Sequence, residues 1–242
     1  MLVCSAGRIS EGSARHTPVI SHTECEPQKV ERDDGPALSR PANGRSRQPR
    51  AHDNIQRLAS LLEQTRIIPA VRTSEFLPRS AQAPGKIVYF LFGNPEEIRE
   101  MAGLVTAAGK VPIVNIDLAA GLARDQAAIS YLANRNVQGI ISTHPEPLRA
   151  ARDLGLFAIK RTFLLDSAAL DSALRSLEQF EPDALEVLPA MAAPHILDKL
   201  RQLYPALPVI AGGLIRTLRE IQELVERGIN SVSVSDSCLW VA

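Results

Sequence analysis

The 242-residue chain predicts an α/β fold, and within that class a closed (β/α)8 barrel of the TIM type. Three observations predict it. Eight short runs rich in β-branched residues recur along the chain, each bounded by Gly, Pro or Asp. Amphipathic stretches of roughly ten to fifteen residues separate them, the lengths expected of helices linking parallel strands by right-handed crossovers. No G-x-G-x-x-G follows the first run, and eight units close a barrel better than they extend an open doubly wound sheet.

The elements follow in order. A helix over 54–65 leads and is expected to plug the bottom of the barrel. Strands are predicted at 67–72, 87–93, 111–117, 139–143, 157–163, 184–189, 208–214 and 231–236, each too short for a helix of equal hydrophobicity. Helices are predicted at 96–108, opened by Asn94-Pro95, at 118–134, at 147–154, at 167–180, opened by Asp166-Ser167, at 194–203 and at 218–227. Gly109, Gly155 and Gly228 mark helix ends. The barrel portion, about 190 residues, is slightly short for this fold, whose usual lower size is about 200. The helices after the first and last strands are therefore abbreviated, and 73–83, with Pro78 inside, is a short one.

Residues 1–53 belong to no unit of this pattern. They carry five prolines and few large apolar residues, and form a disordered extension because too little apolar surface is available to offset the entropy of ordering them. The expected division is thus 1–53 extension and 54–242 barrel. Within the extension, Arg40, Arg45, Arg47 and Arg50 form a small basic arm with no acidic residue between Gly35 and Ala51. Such an arm suits electrostatic attachment to a nucleic acid, or is simply an Arg- and Pro-rich linker. The whole chain balances 27 Lys and Arg against 27 Asp and Glu, which excludes a general nucleic-acid coat. Cys4, Cys25 and Cys238 make no C-x-x-C pair, so neither a disulfide framework nor a zinc knuckle is expected, and a reducing cytoplasm is the natural location. The longest apolar run, 87–92, is far too short to span a membrane.

In this fold, functional groups collect at the C-terminal ends of the strands. Those ends supply Arg72, Asn115 with Asp117, Ser142 with Thr143, Lys160 with Arg161, Glu186, Gly212 with Gly213, and Ser233 with Ser235. The stretch Ala211-Gly212-Gly213-Leu214 is the most specific of them. Adjacent glycines let backbone N–H groups approach an anion with no Cβ in the way, and Thr217 can cap the helix that follows. With Ser233 and Ser235 after the eighth strand, it matches the phosphate corner most used by such barrels; the plainer reading is a tight turn. Arg72, Lys160, Arg161 and Arg216 are cations at the right level. Strand alternation lets only one of Lys160 and Arg161 face the mouth, and Glu186 is the expected partner of Lys160. That pair reads either as a Schiff-base lysine with an acid–base carboxylate, the chemistry of a phosphosugar aldolase or isomerase, or as a structural ion pair. Asp117 is expected to bind a ligand hydroxyl, and no metal or cofactor is expected.

These residues resemble the glycerol-3-phosphate-responsive antiterminators. The resemblance spans 67–240 and rests on Ile68-Pro69-Ala70-Val71-Arg72, Leu91-Phe92-Gly93, Asp117-Leu118 with Gly121-Leu122 and Asp125, and Gly139-Ile140-Ile141-Ser142-Thr143. It continues through Arg161, Phe163 and Asp166-Ser167, Asp183 with Glu186-Val187-Leu188-Pro189, Ala211-Gly212-Gly213-Leu214-Ile215, and Ser233, Ser235 and Leu239-Trp240. It implies a barrel, not an enzyme, that binds glycerol 3-phosphate and then an mRNA leader of glycerol catabolism to prevent termination. Gly212, Gly213, Ser233 and Ser235 would then hold the phosphate, with Arg72, Arg161, Asp117, Ser142 and Glu186 lining the rest and Lys160 beside them. Asn115 stands where the family pattern has histidine, and Ala190 where glycine is usual. Residues 54–242 carry 19 Lys and Arg against 20 Asp and Glu, so any RNA face must be local, on outer helices or made by association of two copies.

Overall fold

A computed structural model of the chain describes residues 48–241. Eight parallel strands close into a barrel in sequence order: β1 (Ile67–Val71), β2 (Ile87–Phe90), β3 (Val111–Asn115), β4 (Gly139–Ser142), β5 (Phe157–Phe163), β6 (Ala184–Leu188), β7 (Val209–Gly212) and β8 (Ser231–Val234). The ring is sealed by β8 against β1, with Ile68 opposite Ser233. The helices are α1 (Gln48–Glu63), α2 (Leu77–Gln82), α3 (Pro95–Ala107), α4 (Gln126–Ala133), α5 (Pro145–Asp153), α6 (Ser167–Gln179), α7 (Pro194–Leu203) and α8 (Leu218–Glu226). No helix among the described residues is long and apolar enough to cross a membrane.

Strand alternation divides the core into two shells. Inside the barrel, Ile68, Ile87, Tyr89, Ile113, Ile141, Phe157, Ile159 and Ile210 pack together. On the other face of the same strands, Val88, Phe90, Val114, Ile140 and Val187 pack beneath Ile98, Ile129, Leu148, Ile196 and Leu224 of the helices. Burial on both faces is why the strands read as continuous apolar runs. Leu58 and Leu62 of α1 join the inner shell, so this helix does plug the floor. Asn54 Nδ2 ties α1 to the carbonyl of Leu156 at 3.4 Å, and Ser231 Oγ donates to the carbonyl of Thr65 at 2.6 Å.

The units after β1 and β8 are abbreviated as expected, to the six residues of α2 and to a single turn, Ser237–Leu239. That last turn seats Trp240, whose Nε1 donates to the carbonyl of Val234 at 2.8 Å while its ring meets Phe76 edge to face. Two helices start more than five residues from where the sequence reading puts them, and every other helix end lies closer to its expected place. Helix α1 begins at Gln48 and not at 54, so Arg50 of the basic arm lies in a helix; Arg40, Arg45 and Arg47 lie outside the described residues, as does nearly all of 1–53. The helix expected over 118–134 starts only at Gln126. Asp125 caps it by accepting from the amide of Ala128 at 2.9 Å, and Gly121 before it takes φ +70°. Residues 119–125 thus form a loop at the mouth.

Candidate functional site

Inward-facing positions near the C-terminal ends of β5 to β8 bring one polar cluster together. On β5, Phe157 and Ile159 point inward, so Arg161 does too. In the register of β5 with β6, Arg161 lies opposite Glu186. The Arg161 Nε donates to Glu186 Oε2 at 2.7 Å, and Ser233 Oγ donates to Glu186 Oε1 at 2.7 Å. Glu186 is wholly buried and Arg161 is 8% exposed. A carboxylate in such a place is tolerated because both of its oxygens are bonded and a guanidinium is its counter-charge. The bond to Glu186 uses Nε, which leaves the terminal Nη1 and Nη2 groups for a cavity of about 280 Å³ that Arg161 lines with Ala70, Arg72, Leu91, Leu188, Gly213, Leu214, Ser233 and Ser235.

The two glycines of β7 serve different purposes. A Cβ on Gly212 would collide with Ser233 Oγ and lie 3.2 Å from Glu186 Oε1, so Gly212 clears room for the bond between those side chains. Gly213 has φ +81° and turns the chain over Leu188 into the cavity wall. Leu214 follows at φ +62°, a left-handed conformation that costs a residue with a Cβ, with its side chain 76% exposed. The amides of Gly213 and Leu214 donate to no backbone acceptor among the described residues. Immediately beyond, α8 closes its own N-terminus. Thr217 Oγ1 accepts from the Glu220 amide, and Glu220 Oε2 accepts from the amides of Arg216 and Thr217 at 2.8 and 2.9 Å. The donors left for an anion are therefore those of the glycine turn and not those of the helix end.

A second cluster spans the ends of β3 to β5. Asp117 Oδ2 accepts from the Thr143 amide at 2.7 Å and its hydroxyl at 2.9 Å, Oδ1 accepts from Ser142 Oγ at 2.7 Å, and Arg124 Nε lies 3.1 Å from Oδ1. Burial pushes the Asp117 carboxyl up, but these bonds and His144 outweigh it, and it ionises below the usual carboxylate range. Asp117 thus ties the β3 loop to β4, with its lone pairs already occupied by the chain. Asn115 is buried and accepts from the Asp117 amide at 3.0 Å. Lys160, one residue before Arg161, has the opposite parity. Its Nζ donates to the carbonyl of Thr143 at 2.7 Å, and burial pulls its ammonium down against the opposing pull of Asp117. The expected pairing of Lys160 with Glu186 is therefore corrected: register and alternation give Glu186 to Arg161.

Of the predicted site residues, Arg72, Arg161, Glu186, Gly213, Ser233 and Ser235 converge on or immediately behind the cavity, and Gly212 supports them from β7. Asp117, Ser142 and Lys160 belong to the second cluster. Ala190 is buried, and its amide bonds the Gly213 carbonyl at 3.3 Å, so the position after Pro189 braces the glycine turn. The sequence reading gave no place in the site to Tyr89, which sits in the inner shell, or to Leu91, Leu118, Phe163 and Leu188, which it named only as part of the resemblance and which form the apolar wall. The parity of Tyr89 with Ile87 was a signal that could have placed it inside the barrel.

Fold and site define a closed parallel barrel with a cavity at its C-terminal mouth, apolar over much of its wall and built around a guanidinium held by a buried carboxylate. The chain belongs to the family described as glycerol-3-phosphate responsive antiterminator, which it matches over residues 67–240. It is 30% identical over 188 residues to an Escherichia coli (strain K12) protein called "Uncharacterized protein YgcP", a match covering 76% of this chain and 95% of that one. A glycerol uptake operon antiterminator-related protein from Thermotoga maritima MSB8 has a similar structure, with TM-score 0.66 and 27% identity, over 73% of this chain and 98% of that one. A glycerol uptake operon antiterminator regulatory protein from Listeria monocytogenes aligns with TM-score 0.67 and 29% identity, over 73% of this chain and 95% of that one.

Proposed function

We propose that this protein is a ligand-gated regulator of transcription. It binds glycerol 3-phosphate at the mouth of its barrel and, when loaded, binds an mRNA leader to prevent termination. The observation that carries the ligand assignment is Arg161, oriented through Nε by Glu186 with its terminal N–H groups left for the cavity. Held in this way, a guanidinium can meet two oxygens of a phosphate without losing its internal partner. The amides of Gly213 and Leu214, the Ser235 hydroxyl and the exposed Arg72 supply the rest of a dianion site on the same wall. Ser233 and Glu186 lie behind it, where the hydroxyls of the glycerol moiety would arrive.

Calorimetric titration of the full chain with glycerol 3-phosphate tests this reading. Binding is expected for the natural sequence, and none for Gly213→Asp, whose carboxylate faces the phosphate. Gly213→Ala separates charge from backbone strain, because it carries the same penalty at φ +81° without the charge and should retain weakened binding. Unaltered binding by Gly213→Asp would refute the site. The RNA role is tested by gel shift of the cognate leader with loaded protein. The shift should weaken as salt rises, because phosphate contacts release counterions. No shift at low salt would remove the antitermination reading.

Lys160 favours a second reading, an aldolase- or isomerase-like enzyme, since a half-buried ammonium pulled down in pKa is a plausible imine-forming group. It is held on the Thr143 carbonyl, however, and does not line the cavity. Borohydride treatment with a phosphosugar carbonyl compound decides between the two. The regulator leaves Lys160 unmodified, whereas a trapped adduct at that position would establish the enzyme.

A further inference from the structure

Tyr89 stands on β2 inside the barrel, opposite Ala70 of β1 and Ile113 of β3. It is wholly buried, and its hydroxyl has no hydrogen-bond partner; among the described residues only the Thr106 hydroxyl, on the outer helix α3, shares that state. A buried tyrosine hydroxyl ordinarily finds a partner, and phenylalanine would fill the same volume with nothing left unbonded. Its neighbour Ala70 is part of the cavity wall, beside Leu91 and Ser233. The charges that act on the hydroxyl are those of the site itself. Burial lifts its pKa well above 10.0, Glu186 adds to the rise and Arg161 opposes it, so the group remains an O–H donor at any physiological pH. Glu186 in turn accepts one bond on each oxygen, whereas an ionised carboxylate offers about four acceptor sites. Tyr89 is not itself in the cavity wall, but its hydroxyl donor and the unsaturated acceptor Glu186 share the barrel interior below the mouth, behind the wall residue Ala70.

We infer that Tyr89 is a specificity-determining residue of the mouth cavity: its hydroxyl donates to a hydroxyl oxygen on the carbon chain of a phosphorylated polyol, while Glu186 accepts from that chain. The inference rests on the mouth cavity being the ligand site. It adds that the protein recognises the polyol as well as the phosphate, and that the orphan donor becomes bonded when the ligand enters. Loss of that bond is then specific to ligands that carry the polyol.

The test compares the natural chain with Tyr89→Phe by titration with glycerol 3-phosphate and, separately, with inorganic phosphate, alongside thermal melting without ligand. Tyr89→Phe is expected to bind glycerol 3-phosphate about tenfold more weakly, the value of roughly 1.4 kcal/mol. Its affinity for inorganic phosphate should be unchanged, and its melting temperature equal to or above that of the natural chain. Equal affinity of both proteins for glycerol 3-phosphate overturns the inference. So does a parallel loss for both ligands, or a lowered melting temperature with unchanged selectivity, since either shows a purely structural role. If the natural chain binds inorganic phosphate but prefers glycerol 3-phosphate not at all, the cavity stands and Tyr89 does not read the chain. If it binds neither, both readings fall.

Discussion

Asp183 shows how one residue couples this fold to pH. Its carboxylate is buried at the start of β6 and accepts from the Ala158 amide at 2.8 Å. Burial pushes its pKa from 3.8 up to about 6, more than the Ala158 bond, Arg152 and Arg57 pull it down. The folded state therefore holds this proton more tightly than the unfolded chain does. The stabilisation is fully present below about pH 4 and is lost as the pH rises through about 6, an effect on the order of 2–3 kcal/mol. Asp183→Asn keeps an acceptor for Ala158 but cannot ionise. In urea unfolding at a series of pH values, the stability of the natural chain relative to this variant should fall between pH 4 and 7. A difference that stays constant with pH would show that Asp183 is not the titrating group. Glu186 and Ser233 were legible as residues of the mouth, because their places at the strand ends give their height. Which cation meets Glu186 was not. That depended on the stagger between β5 and β6, a property of barrel closure and not of either strand.

At the scale of elements, α8 illustrates how a helix can border the proposed anion site without belonging to it. The capping box of Thr217 and Glu220 fills the helix N-terminus with the chain's own carboxylate. Thr217→Ala should cost about 1 kcal/mol of stability, read by denaturant titration, and leave glycerol 3-phosphate affinity unchanged. A fall in affinity comparable to that of a glycine-turn variant would instead place the helix end in the site. Element existence was plain in the sequence: each predicted strand and helix has a counterpart in the structure, in the predicted order. The failure was local. Residues 119–125 carry enough Leu and Ala to read as helix, yet the three bonds from Ser142 and Thr143 to Asp117, together with the Asp125 cap, hold the preceding segment as a loop.

For the whole molecule, α1 is the element that closes the lower end of the inner shell. Leu62→Ala removes a fully buried side chain from that floor, and should lower stability by about 2–5 kcal/mol in a calorimetric melt. A chain beginning at Gln48 keeps α1 and should match the full chain in melting temperature and ligand affinity. If Arg40, Arg45 and Arg47 touch RNA, the same truncation makes the leader shift less steeply dependent on salt, because fewer counterions are released. An unchanged salt slope would assign the RNA contact to the barrel alone. By itself, the sequence determined the number and order of the units, the closure of the barrel and the polar composition of its mouth. These follow from periodicities and turn chemistry that act over a few residues. Only the tertiary structure decided that Glu186 belongs to Arg161, that Asp117 braces β4, and that the Tyr89 hydroxyl lies buried without a partner. Each of those depends on how neighbouring strands are staggered when the sheet closes, and the stagger is set by packing across the barrel, between residues far apart in the chain.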